Sequence, residues 1–149
     1  MLPLIPAWPD PKSEAGEVFF ANARAIFAAW KARGESNAFS LAMLTQAEAD
    51  SGLNPKALGD HDTAYGLHLW HGDRVAAIKA RTGIDLKTFP PIADQIAAAG
   101  WEIENLKWLG GAAMRNAPTA RAAAIQACAS FEPAGAPDAA ERRGQMAER

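Results

Sequence analysis

The chain has 149 residues, of which 49% are hydrophobic and 21% are charged, and its formal net charge is −2. This composition is typical of a globular protein of one domain and argues against a disordered chain. The near-neutral charge offers no basic surface, so we expect no nucleic-acid partner. No apolar run reaches the roughly 18 residues needed to cross a bilayer, so we expect no membrane span. The single cysteine, Cys128, excludes an internal disulfide.

Residues 1–12 are apolar and rich in proline, with prolines at positions 3, 6, 9 and 11. Proline prevents a regular helix, so we interpret this segment as an arm that precedes a single domain at 13–149. Its apolar side chains pack either on that domain or on a neighbouring subunit. The arm lacks the basic and long apolar regions of a secretory signal, so we expect no signal peptide.

Apolar residues at helical spacing predict helices over 14–33, 37–51, 73–82 and 91–104. A short helix around Trp108, Leu109 and Met114, an alanine-rich helix to about 130 and a helix-prone tail at 137–149 follow. The apolar stripes predict one core, formed by Phe19, Phe27, Trp30, Leu41, Leu44, Ile78, Ile96 and Ile125.

The stretch 47–74 interrupts this helical pattern and contains all three histidines. The second helix is predicted to end at Ser51-Gly52, because glycine commonly follows the last helical residue. Tyr65, Leu67 and Leu69 alternate with Gly66, His68 and Trp70, which is typical of a short strand. The fold is therefore predicted to be mostly α, with a small β-hairpin between 57 and 71.

The acids and histidines of this stretch leave several chemistries open. Three histidines beside Asp60, Asp62 and Asp73 could ligate a metal, but no strong ligand spacing such as HExxH is present. We therefore expect no metal and no cofactor. Glu48 and Asp50 lie two residues apart, about 200° around a helix, so only one of them can face a given cleft.

The residues at 50–74 carry a specific resemblance. Asp50-Ser51-Gly52-Leu53-Asn54-Pro55, then Gly59-Asp60, then Ala64-Tyr65-Gly66-Leu67-His68-Leu69-Trp70-His71-Gly72-Asp73-Arg74 resembles the signature of the phage tail lysozyme family, in the lysozyme and lytic transglycosylase group. Weaker similarity lies at Trp101-Glu102-Ile103 and Phe131-Glu132-Pro133. Two positions depart from the family: Asp50 stands where members have the catalytic glutamate, and Leu69 stands where they have glutamine.

The resemblance implies an α+β lysozyme-like fold and a cleft beside the hairpin. It implies Asp50 as the catalytic acid and Asp60 as a second carboxylate or polar organiser, with Glu48 as the alternative acid. Glu102 is either a buried acid behind the cleft or a surface acid. The residues expected to contact substrate are Tyr65, His68, Trp70, His71 and Arg74. Trp70 either stacks on a sugar or fills the core, and Arg74 either contacts substrate or forms a structural salt bridge.

The implied function is a muramidase, a glycoside hydrolase or lytic transglycosylase that cuts the β-1,4 links of peptidoglycan. Its activity would be attenuated by the shorter acid. The alternative is a catalytically degenerate structural or glycan-binding component of a phage tail or gene-transfer particle. Implied partners are glycan strands and, through the arm, other tail proteins. The implied location is a phage virion tail, or a prophage-encoded bacterial protein acting in the periplasm.

Overall fold

A computed structural model describes residues 7–106, 111–130 and 139–148. Within these residues the fold is mostly helical, with a small antiparallel sheet, as predicted. The helices are α1 (Glu14–Ala32), α2 (Asn37–Ser51), α3 (Gly72–Thr82), α4 (Ile92–Asn105), α5 (Gly111–Asn116), α6 (Ala120–Ser130) and α7 (Ala139–Ala147). The strands are β1 (Leu58–Gly59), β2 (Ala64–Tyr65) and β3 (Trp70–His71), and a 3₁₀ helix spans Leu86–Thr88.

The helix ends follow from local chemistry. The side chain of Ser36 accepts a hydrogen bond from the backbone N–H of Phe39 and so caps the start of α2. At the other end Gly52 takes the left-handed conformation, with φ 63°, and ends α2 as predicted. Gly83, with φ 78°, ends α3 in the same way. These ends place the last turn of α2 directly before the loop and sheet.

The prediction of one strand over residues 65–70 was wrong. β2 ends at Tyr65, and the chain turns through residues 66–69 before β3 begins. The turn requires φ 80° at Gly66 and φ 46° at Leu69, and neither angle is compatible with a strand. β2 therefore pairs with β1 on one side and β3 on the other, so the predicted hairpin is a three-stranded meander.

One hydrophobic cluster contains residues from each of the helices α1 through α6 and from the sheet. Of the residues predicted for the core, Trp30, Ile78 and Ile96 are buried and the other five are partly buried. A second cluster consists of alanines, Ala42, Ala123, Ala124 and Ala147, which let α2, α6 and α7 approach closely. Gly144 lies against Ile125, so close that a Cβ there would be 2.9 Å from it. This packing brings α7 onto α2.

Three predicted features lie outside the described residues: the first half of the arm (1–6), Trp108 with Leu109, and the segment Phe131-Glu132-Pro133. In the described half of the arm, Trp8 packs edge-on against Phe20 of α1 with ring centroids 5.8 Å apart. That half of the arm therefore packs on its own chain, which is one of the two arrangements that the sequence left open.

Candidate active site

Asp50 lies in the last turn of α2, where the helix meets the loop. Only 8% of its side chain is exposed. Its Oδ2 atom is 3.2 Å from Nδ1 of His68, and its Oδ1 accepts a hydrogen bond of 3.2 Å from Arg143 of α7. Both carboxyl oxygens therefore have protein partners, one from the turn before β3 and one from the C-terminal helix.

Burial raises the pKa of the Asp50 carboxyl from its ordinary 3.8 to about 7. Removal from water penalises the charged form, and this outweighs the opposing effects of the Arg143 and Arg74 guanidinium groups, which lower the pKa. A carboxyl of this kind is protonated over much of the range up to neutral pH. It can then serve as a proton donor, which is the state that general acid catalysis needs.

Behind Asp50, buried side chains form a continuous chain of contacts. The rings of His68 and Trp70 meet edge to face with centroids 5.1 Å apart. The indole N–H of Trp70 donates a 2.7 Å hydrogen bond to Glu102. Arg74 donates two more to the same carboxylate, at 2.8 and 2.7 Å. This chain fixes the β3 segment and the start of α3 against α4.

Burial and side-chain contacts bear on three of the alternatives left by the sequence. Trp70 is fully buried, so it fills the core and presents no face on which a sugar could stack. Arg74 forms the structural salt bridge. Glu102 is 1% exposed and is the buried acid. His68 is also buried, so its contact is with Asp50 and not with a groove open to solvent.

Gln95 of α4 holds the loops in place and was not predicted. Its Oε1 accepts a hydrogen bond of 2.9 Å from the backbone N–H of Leu67. Its Nε2 donates to the backbone carbonyls of Pro55 and Pro90, each at 2.8 Å. Gly66 passes so near that a Cβ would lie 2.6 Å from Oε1 of Gln95. One buried amide thus joins three loop segments.

Asp60 lies in the turn between β1 and β2 and is exposed. Its Oδ2 is 3.5 Å from Nε2 of His71, which is also exposed. Tyr65 is partly buried, with its ring near Phe89 at 6.1 Å between centroids and Lys87 above it at 5.9 Å. Asp60, Tyr65 and His71 lie on or beside the sheet with exposed or partly exposed side chains, whereas His68 and Trp70 are buried and Asp50 is nearly so.

Glu48 points elsewhere. Its carboxylate accepts a 2.8 Å hydrogen bond from the indole N–H of Trp8 in the arm. Asp50 contacts His68 and α7 instead, so the two acids face different ways, as their spacing requires. Glu48 therefore joins the arm to α2.

Leu69 occupies the position where the resemblance places glutamine. Its side chain packs on Gly59, where an added Cβ would lie 3.2 Å from a Leu69 methyl. The residue is partly buried, and its side chain has no group that can form a hydrogen bond. Across residues 7–106, 111–130 and 139–148, no set of three histidine, cysteine or acidic side chains is arranged to hold a metal ion. No described helix is both long and apolar enough to cross a membrane.

The structure thus brings together Asp50, His68, Trp70 and Arg74 from the predicted set. It pairs Asp60 with His71, and it bonds Glu48 of α2 to Trp8 of the arm. The sequence did not predict Gln46, Gln95, Arg143 or the two side chains beside the Tyr65 ring, Phe89 and Lys87. The sequence carried little signal for them, because one glutamine within a helix or one arginine in a charged tail is usually a surface residue.

The sequence was compared with curated proteins and with protein-family models. No curated protein matches the chain. The sequence model of the phage tail lysozyme family matches residues 21–149, which include α2 with Asp50, the sheet and α7 with Arg143. The match covers most of the chain and agrees with the resemblance at 50–74. The chain therefore belongs to the phage tail lysozyme family.

Proposed function

We propose that the protein is a peptidoglycan muramidase in which Asp50 is the general acid. One observation carries the proposal: a buried carboxyl, with its pKa raised to about 7, stands at the end of α2 where the family resemblance places the catalytic acid. Family membership supports the class of substrate. Asp50 would donate its proton to the oxygen of the β-1,4 glycosidic bond as that bond breaks.

The positive charge that develops on the sugar as the bond breaks must be stabilised by a second group. Asp60 is the candidate carboxylate on the protein, since it is exposed in the β1–β2 turn beside His71. The N-acetyl group of the substrate could serve instead, as the family resemblance implies. Tyr65 and His71 are the predicted sugar contacts that the structure leaves accessible, whereas His68, Trp70 and Arg74 support the acid from behind.

The proposed activity is attenuated. Aspartate is one methylene shorter than glutamate, and a misplacement of about 1 Å can lower a rate by about 100-fold. Leu69 adds to the loss, because its side chain cannot hydrogen-bond a sugar. The proposed setting is a phage tail, or a prophage-encoded bacterial protein acting on glycan strands in the periplasm. The arm is proposed to contact other tail proteins.

A specific observation favours the alternative, a glycan-binding or structural tail component. Asp50 is nearly buried, and both of its oxygens already have partners. If this arrangement persists when glycan binds, no proton can reach the substrate.

The products formed from purified Gram-negative sacculi distinguish the two functions. A muramidase releases soluble muropeptides that end in reducing N-acetylmuramic acid, and a lytic transglycosylase releases 1,6-anhydro ends. Mass spectrometry separates these products, and a parallel digestion with chelator tests for metal dependence. We expect release that survives the chelator and is retained by Glu48→Gln. Co-sedimentation with sacculi without any soluble product would instead establish the binding role.

A further inference from the structure

We propose that Arg143 is a positioning residue of the site: from α7 it holds the Asp50 carboxyl together with the Gln46 amide and leaves Oδ2 of Asp50 as the oxygen that carries the transferable proton. This inference rests on the proposed function, in which Asp50 is the acid. It makes α7, 93 residues away in sequence, a functional part of the site.

The contacts of Arg143 converge on one face of α2. Its Nη2 donates to Oδ1 of Asp50 at 3.2 Å, and its Nη1 donates to Oε1 of Gln46, one turn earlier on the helix. Gln46 is fully buried, and its Nε2 donates a 3.1 Å hydrogen bond to the carbonyl of Ala124 in α6. The Arg143 side chain is only 13% exposed. Such planar, two-donor contacts fix orientation more strongly than a single point charge can.

The same geometry selects which oxygen of Asp50 carries the proton. A guanidinium has only donors, so the oxygen that faces it favours the unprotonated form. Arg143 faces Oδ1, and the proton is therefore directed to Oδ2 beside Nδ1 of His68. The proton then has one defined position, and only the Oδ2 contact with His68 has to open before the proton passes to a substrate, while Arg143 keeps its hold on Oδ1.

The charged groups around Asp50 come from three elements. Arg143 lies on α7, Arg74 on α3, and His68 in the turn between β2 and β3. On α2 itself, Glu48 is directed to Trp8. Both arginines oppose the effect of burial on Asp50, and Arg143 is the stronger of the two. Loss of the Arg143 charge therefore raises the pH at which Asp50 ionises.

The test compares Arg143→Gln with Arg143→Lys, using Arg121→Gln as a matched control. Arg121 of α6 pairs with Glu148 at the end of α7, so the control weakens the docking of α7 away from Asp50. The first readout is the titration of the Asp50 carboxyl by ¹³C NMR, with Asp50→Asn for assignment, which requires no activity. The second is the pH profile of kcat and KM on sacculi.

We expect Arg143→Gln to move the Asp50 midpoint up by about one pH unit, as removal of one close charge does. The alkaline limb of activity should move with it, and kcat should fall about 10-fold or more while KM changes little. Arg143→Lys should keep the midpoint near that of the parent but lose kcat, because an ammonium cannot fix both partners. Arg121→Gln should change neither readout. If Arg143→Gln does not fold, the loss of kcat in Arg143→Lys tests the proposal instead.

The failures are distinguishable. An inactive parent with the expected NMR shift would reject the proposed function and keep the effect of Arg143 on Asp50. An active parent with an unchanged midpoint and an unchanged kcat in both variants would overturn the positioning role. A rise in kcat in Arg143→Gln would also overturn it, since α7 would then be obstructing the acid.

Discussion

Nδ1 of His68 lies 3.2 Å from Oδ2 of Asp50, and both side chains are nearly excluded from water. The pair links the end of α2 to the turn before β3, two segments that are 18 residues apart. Since burial disfavours the charged carboxylate, Asp50 holds its proton to higher pH than an exposed aspartate. The protonation state of Asp50 therefore affects both its proposed role as an acid and the stability of the fold.

The first prediction concerns stability and pH. The folded-state pKa of Asp50 is raised from 3.8 to about 7, so the folded chain binds the proton more tightly than the unfolded chain. The resulting stabilisation is fully present below the unfolded pKa and is lost as pH rises through the folded pKa. At about 1.4 kcal/mol per pKa unit, the loss is on the order of 4 kcal/mol. Asp50→Asn cannot ionise, so its free energy of unfolding should depend less on pH.

Urea unfolding of the parent and Asp50→Asn at about pH 4 and about pH 8 measures this difference. Asp62→Asn, a change at an exposed acid in the β1–β2 turn, is the control and should keep the pH dependence of the parent. Parallel stability curves for the parent and Asp50→Asn would contradict the prediction.

The second prediction concerns the buried carboxylate of Glu102. Glu102→Gln removes the charge that pairs with Arg74 and should lower the free energy of unfolding by about 3 kcal/mol. Glu104→Gln on the same helix is the control, since Glu104 pairs with Arg33 and is 52% exposed. Exposed pairs contribute about 1 kcal/mol or less. Equal small losses in the two variants would show that the buried pair contributes little net stability.

The third prediction compares two glycines with positive φ. Gly52→Ala meets no atom within 4 Å and should cost only the backbone strain, about 1 kcal/mol. Gly66→Ala adds a Cβ only 2.6 Å from Oε1 of Gln95 and should disturb the three hydrogen bonds of that amide. Its loss should exceed that of Gly52→Ala by about 2 kcal/mol or more. Thermal or urea unfolding measures both, and similar losses would mean that Gln95 shifts freely.

The helix positions could be predicted from the sequence because interactions between residues close in sequence determine where a helix begins and ends. Ser36, Gly52 and Gly83 set helix ends through contacts within a few residues. The run 65–70 was predicted wrongly because apolar and polar residues can also alternate where the chain turns. Gln95, whose side chain holds that turn through the backbone of Leu67, is 28 residues away in sequence.

The candidate site was predictable only in part. The order of Asp50, His68 and Trp70 carried the family resemblance, but their burial depends on packing across the fold. Arg143 reaches Asp50 because alanines and Gly144 allow α7 to approach α6 and α2. The hydrophobic periodicity of one segment cannot show which distant helix packs against it.

The fourth prediction restores the residues that the family resemblance places at two positions. Asp50→Glu returns the missing methylene, and Leu69→Gln returns an amide that can hold a sugar. We expect Asp50→Glu to raise the rate of muropeptide release and the double variant to raise it further, by up to about 100-fold, which corresponds to about 2.7 kcal/mol. Leu69→Gln alone is the control for the amide. No gain in any variant, with sacculus binding retained, would favour the structural role.

The rate at which Asp50→Asn releases soluble muropeptides from sacculi tests the central claim most directly, since asparagine preserves the size of the side chain and removes the acid. The predicted result is a fall of about 100-fold or more relative to the parent, in a variant that still binds sacculi. A parent and an Asp50→Asn variant that are equally active would contradict the claim and transfer the acid role to Glu48.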